Sequence, residues 1–262
     1  MTPTRARWRR AAIACVAAAA AACATRGPAR PAGTPAADPT ALAAFAAATR
    51  QCRPLRTATA EIALSGRVGG DRIRARLVAG FAAPSSIRLE ALAPFGAPAL
   101  VLGSDGATTT LLFPRDRQVL REASVAEVLD AITGLALDAG ELRDVLFGCL
   151  ALDATLGLSF AGGWQAVERG DVRVYLRDGA VVAADDRGWL IDYAAAPGGG
   201  RIVRVRRTLP RGAIDLTATL SQVQANIDLP ADAFSVAVPA DVTPMTLDDL
   251  RAASPLAPAS PR

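Results

Sequence analysis

TATAEIALSGRVGGDRIRARLVAGF, residues 57–81, alternates apolar and polar side chains twice around a Gly-Gly-Asp. Ile62, Leu64, Gly66 and Val68 alternate with Glu61, Ser65 and Arg67. Beyond Gly69-Gly70-Asp71, Ile73, Ala75, Leu77, Ala79 and Phe81 alternate with Arg72, Arg74 and Arg76. A period of two sends successive side chains to opposite faces, and the glycine pair signals a turn. The stretch is therefore an antiparallel hairpin with one apolar and one wet face.

The same pattern continues outward. Ile87–Glu90, Leu100–Leu102, Thr109–Phe113 and Val119–Arg121 extend the meander. After them the period becomes helical. Val125, Val128, Leu129 and Ile132 recur at three- and four-residue steps, Ser124 and Glu127 form a capping pair, and Gly134 ends the helix. Asp138 caps a second helix carrying Leu142, Val145, Leu146 and Phe147. Strands resume at 156–161, 164–168, 172–177, 180–184 and 189–193, and two longer ones follow at 201–209 and 213–223. A further helix is expected over 41–51, capped by Asp38 or Thr40. The fold expected is mainly β (α+β), a strongly curved antiparallel sheet of about 10–11 strands wrapped over helices, since so large a sheet must curl or close. Inward positions include Leu64, Leu77, Phe81, Leu89, Val203, Val205, Leu216 and Leu220. Each is either ordinary core or the wall of a cavity. Two short helices do not fill such a sheet, and any shortfall is empty space.

The N-terminus reads as a leader. Arg5, Arg7, Arg9 and Arg10 precede an uncharged run from Ala11 to Ala22 that stops at Cys23. Such a run is too short to span a bilayer and matches a secretory signal. A cysteine directly after Ala20-Ala21-Ala22 resembles a bacterial lipobox, in which it is acylated and becomes the mature N-terminus. The alternative is ordinary cleavage, with Cys23 left as a thiol. In the lipoproteins this resembles, Asp after the cysteine favours the inner membrane, so the resemblance with Ala24 there implies the outer one. The expected organisation is a signal over 1–22, a flexible tether over 23–39, a domain over 40–242 with a helical insertion at 123–149, and a disordered Pro- and Ala-rich tail over 243–262.

Charge narrows the function classes. The chain has 29 basic residues, and losing the four leader arginines leaves 25 against 25 acids. Nucleic-acid binding therefore has no electrostatic support. The absence of histidine removes the commonest general base and metal ligand. The paired acids Asp185-Asp186 and Asp248-Asp249 read as turn and tail residues, and Gly198-Gly199-Gly200 as a hairpin loop. No enzyme activity, catalytic residue, metal or cofactor is expected. Arg204, Arg206, Arg207 and Arg211 form the densest basic cluster and read either as a solvated strand face or as a contact for anionic headgroups or a partner. Cys52 and Cys149 are either a disulfide, which an oxidising periplasm favours, or two buried thiols.

Two segments carry a family resemblance. The run from Ile87 through Pro94-Phe95-Gly96 to Leu102 is similar to a strand, protruding loop and strand of LolB, an outer-membrane lipoprotein receptor. Residues 123–150, with Ile132-Thr133-Gly134 and then Leu142, Arg143 and Gly148, resemble its helical insertion. The resemblance implies a half-open β-barrel with a helical lid, whose interior binds lipoprotein acyl chains delivered by a LolA-like periplasmic carrier. It implies a monomer, lipid-anchored on the periplasmic face of the outer membrane, that inserts its cargo there. Pro94, Phe95 and Gly96 then form the membrane-insertion loop, with Phe95 either sinking into lipid or folding back onto the rim. Other classes remain: a lipid sensor or a scaffold lipoprotein without transfer activity.

Overall fold

The computed structural model describes residues 29–95, 97–209, 212–230 and 232–254. The leader, Cys23, Gly96 and Arg211 lie outside them. Residues 31–262 cluster as one unit. It holds every described strand and helix and the core of the described residues.

The hairpin of residues 57–81 is there and sits near the middle of the sheet. β1 (Ala36–Ala37) is followed by α1 (Thr40–Ala48), then β2 (Thr57–Val68), β3 (Asp71–Ala82), β4 (Ser86–Leu92), β5 (Leu100–Ser104), β6 (Thr109–Phe113) and β7 (Gln118–Leu120). Next come the helices α2 (Val125–Thr133) and α3 (Ala139–Phe147). The second run of strands is β8 (Leu156–Phe160), β9 (Trp164–Arg169), β10 (Val172–Arg177), β11 (Ala180–Asp186), β12 (Trp189–Ala195), β13 (Arg201–Leu209) and β14 (Gly212–Ala225), before β15 (Thr243–Pro244) and α4 (Leu247–Ala253). All pair into one unclosed 15-stranded sheet in the order β1-β8-β9-β10-β11-β12-β13-β14-β2-β3-β4-β5-β6-β7-β15. Every pairing is antiparallel except β15 on β7. The sheet is curved, and its inner face carries the core.

Register sets the inner face. Leu77 lies opposite Ile62 and Ala91, and Leu64 opposite Ala218. The helices that cover this face begin and end on local chemistry. The Ser124 hydroxyl accepts from the Glu127 amide, and the Glu127 carboxylate accepts from the Ser124 amide at 2.8 Å. Asp138 and Glu141 repeat the device on α3. Gly134 and Gly148 close the two helices in left-handed conformation, which glycine adopts without steric cost.

Two boundaries differ from expectation. The segment 23–39 was expected to be free tether, but Ala36 and Ala37 pair with Ser159 and Leu158, and the Asp38 amide donates to Gly157 O at 2.8 Å. Backbone pairing on an open edge needs no sequence signal. Residues 243–262 were expected to be disordered, but β15 pairs with β7 and α4 packs on α2 through the buried Leu250. Asp249 is part of a capping box with Thr246 rather than a tail acid. The chain before it straps the outer face of β3–β7. Val236, Val238 and Val242 pack on Val101, Leu112 and Val119, and Arg88 donates to Ser235 O at 2.6 Å.

Gly103 is the tightest point under this strap. A Cβ there would stand 2.5 Å from Val236 Cγ2 and 2.6 Å from Phe234 O. Gly103→Ala is expected to lower stability by about 1–3 kcal/mol through overpacking, read as a shift of the urea midpoint. An unchanged midpoint would show that the strap is not held against β5.

Candidate functional site

Between the inner face of the sheet and the helix pair lies an apolar cavity of about 110 Å³. Six of the eight residues expected to face inward line it: Leu64, Leu77, Leu89, Val203, Val205 and Leu216. The strands supply these by alternation. Ile62 and Ala218 complete the strand side, and the lid supplies chiefly Leu129, Leu135, Leu137, Leu142, Val145 and Leu146. Thr133 is the one polar side chain in the lining, and its hydroxyl is spent on Leu129 O at 2.7 Å. With no polar partner to offer, such a space excludes water and favours hydrocarbon.

The lid half of the wall was not named among the site residues from sequence. Its signal was present, since the apolar faces of both helices were readable by period. Their closure over the strand leucines depends on the sheet's curvature, which no local pattern encodes.

The lid rests on apolar packing. Among the described residues, the hydrogen bonds of α2 and α3 are internal or to their own caps, and the one ion pair, Arg143–Asp144, is between neighbours on α3. Burial pushes the Asp144 carboxyl up despite the Arg143 guanidinium beside it. The covalent tie is Cys52–Cys149, which are bonded with their Cα atoms 5.4 Å apart. This joins the turn after α1 to the residue that follows α3's terminal Gly148.

The remaining expected site residues are placed as follows. Phe81 and Leu220 are buried core rather than cavity wall. Phe81 packs edge-on against Phe147 at 6.0 Å, and Leu220 has no exposed surface. Pro94 and Phe95 lie in the loop between β4 and β5, and Phe95 is 87% exposed instead of folded onto the rim. Its carbonyl accepts from Arg115 Nη2 at 2.5 Å, which orients the loop while the ring projects outward. Trp164 and Tyr175 fall on the opposite face. There they cluster with Leu158 and Ala183, because their strand positions are out of phase with Val167 and Val174.

The expected basic face on β13 is paired rather than free. Arg204 bonds Asp215 through both oxygens at 2.7 and 2.5 Å, and Arg206 bonds the buried Asp192 at 2.6 Å. The Arg204 guanidinium holds the Asp215 carboxyl below its usual range. Arg207 alternates inward and stacks on Trp189 at 5.1 Å. Also inward, Arg201 stacks on Tyr193 at 5.5 Å, and burial pushes the Tyr193 hydroxyl's pKa up while lowering that of Arg201. A larger, solvent-open groove of about 520 Å³ runs along the disulfide, but Arg53, Arg143, Asp144 and Asp153 line it and make it a poor seat for hydrocarbon.

No protein-family model matches the chain, and no curated protein does. Among solved structures, the chain is similar to a DUF1329 family protein from Desulfovibrio piger at 11% identity. The likeness covers 74% of this chain and 97% of that one, with a TM-score of 0.46. A LolA superfamily protein from Nitrosomonas europaea is similar at 12% identity, over 75% of this chain and 97% of that one, with a TM-score of 0.44.

Proposed function

We propose that this chain is a lipid-anchored outer-membrane protein that takes acyl chains, of lipoproteins or of lipids, into the cavity under its helical lid and helps insert them into the membrane. The observation that carries the reading is the cavity, apolar but for Thr133, walled jointly by strand leucines and by a lid that makes no hydrogen bond to the sheet among the described residues. At about 110 Å³ it is smaller than the roughly 300–1,000 Å³ of ordinary ligand pockets, so a chain enters as α2 and α3 part from the sheet. Each methylene buried then contributes about 0.8 kcal/mol. Acylated Cys23 would hold the domain at the membrane, and the exposed Phe95 would enter the lipid ahead of the cargo. Delivery by a LolA-like carrier completes the scheme. No catalytic step is assigned.

The test is mass spectrometry of an organic extract of purified residues 31–262, with titration of a fluorescent fatty-acid analogue. Recovered acyl lipid and saturable probe binding are expected. An empty extract together with no probe binding would replace the carrier with a scaffold. Phe95→Ala is expected to leave probe binding unchanged and to slow transfer of a bound acyl probe into vesicles by about tenfold, as loss of a buried aromatic at the lipid interface would. Equal transfer rates would remove Phe95 from the insertion step.

A further inference from the structure

We infer that the outer face of the β2–β3 hairpin is a docking surface for an anionic lipid bilayer, read by Arg67, Arg72, Arg74 and Arg76. All four side chains are exposed on the face opposite the cavity. None makes an ion pair among the described residues, whereas on the same face of β13 Arg204 and Arg206 are both paired. Asp215 is bonded by Arg204 and Glu90 by Arg88, while Asp71, next to Arg72 in the chain, lies opposite Val68 with its side chain out of phase with the arginines and makes no ion pair among the described residues. Glu61, farther along β2, faces Val78 across the pair and makes no ion pair. Arg67 lies directly opposite Arg72, an arrangement of like charges that costs stability unless a counter-charge is supplied.

Placement says what supplies it. Arg76 pairs with Leu92, the last residue of β4, so β3 runs on past β4 at the end of the sheet from which the 93–99 loop leaves. The exposed Phe95 ring, the exposed Leu92 and Arg115 share that end. An aromatic tip flanked by unpaired arginines matches a bilayer surface, where the ring enters the acyl boundary and the guanidinium groups meet phosphates. A free acidic protein would satisfy the charges but leave the projecting ring without a reason. The inference deepens the membrane-delivery reading and rests on it for which end of the sheet meets lipid.

The test is sedimentation of residues 31–262 with vesicles of phosphatidylcholine alone or with added phosphatidylglycerol. Binding to the anionic vesicles is expected to be stronger and to fall as salt rises. Arg72→Gln/Arg74→Gln/Arg76→Gln should weaken it about a hundredfold, at about fivefold per arginine. Arg50→Gln/Arg53→Gln/Arg56→Gln, with the same change of net charge in an exposed stretch before β2, should bind like the parent. Phe95→Ala should weaken binding to both vesicle types. Equal partition of the hairpin variant and the parent would overturn the inference and leave the face to an acidic protein, as would equal loss in both triple variants. Fatty-acid probe binding by the same proteins separates the readings. Vesicle docking without probe binding sinks the carrier, and probe binding without arginine-dependent docking sinks this surface.

Discussion

A Cys52→Ala/Cys149→Ala chain will unfold at a temperature about 10–15 °C below the parent's. The bond closes a loop spanning 97 positions, and freeing a loop of that size returns about 4–5 kcal/mol of entropy to the unfolded chain. For a domain of this length each kcal/mol corresponds to about 2–4 °C. The double variant is the right comparison, because a single replacement leaves a thiol free to pair elsewhere. The bond also joins α1 to the end of α3, so its loss should loosen the lid as well as the fold. Reduction of the parent should reproduce the shift, and thermal unfolding followed by circular dichroism with and without reductant measures it. Identical melting of the reduced and oxidised protein would mean that the two helices are held by packing alone.

Leu77→Asp is expected to abolish acyl-probe binding, weakening it by at least about a hundredfold. Leu77 lies in the middle of β3, half-buried, and lines the cavity together with Leu64 and Leu89. A carboxylate there has no hydrogen-bond donor among the lining side chains except Thr133, and burying it uncompensated costs several kcal/mol. Hydration of the cavity would then oppose every methylene that enters. Leu77→Ala separates this effect from misfolding. It removes side-chain volume at a cost of about 2–3 kcal/mol but keeps the wall apolar, so its probe binding should survive. Ala63→Asp puts the same charge on the exposed face of the neighbouring strand and should change neither property. Probe binding by Leu77→Asp equal to the parent's would place the ligand somewhere other than this cavity.

Tyr193 and Arg201 show why local rules located the strands more surely than the site. Both were legible as strand residues, and both turn inward by parity, but only the assembled sheet puts the guanidinium over the ring. The outer strap shows the same limit. The runs Leu100-Val101-Leu102 and Leu111-Leu112 are apolar on both faces, a mark of strands covered twice. The cover, Phe234 to Val242, carries Val236 and Val238 two apart, which in hindsight is the signal. Its Pro- and Ala-rich surroundings hid it, because such a segment is ordered by the surface it lies on rather than by its own propensity.

From the sequence alone came the hairpin and the lid helices, governed by period and by cap, but not the start of α1, whose N-cap is Pro39 rather than Asp38 or Thr40. Alternation over 57–81 defines the hairpin and sends Leu64 and Leu77 to one face. Ser124 and Gly134 bound the first lid helix and Asp138 begins the second, because caps satisfy backbone groups within four residues of themselves. The tertiary structure alone decided what depends on pieces far apart in the chain. It bonds Cys52 to Cys149, seats Phe81 and Leu220 in the core while Leu64 and Leu77 line a cavity, and orders residues 243–254. The reason is curvature. The twist accumulated over fifteen strands determines which inward residues meet a helix and which face empty space, and no single strand carries that information.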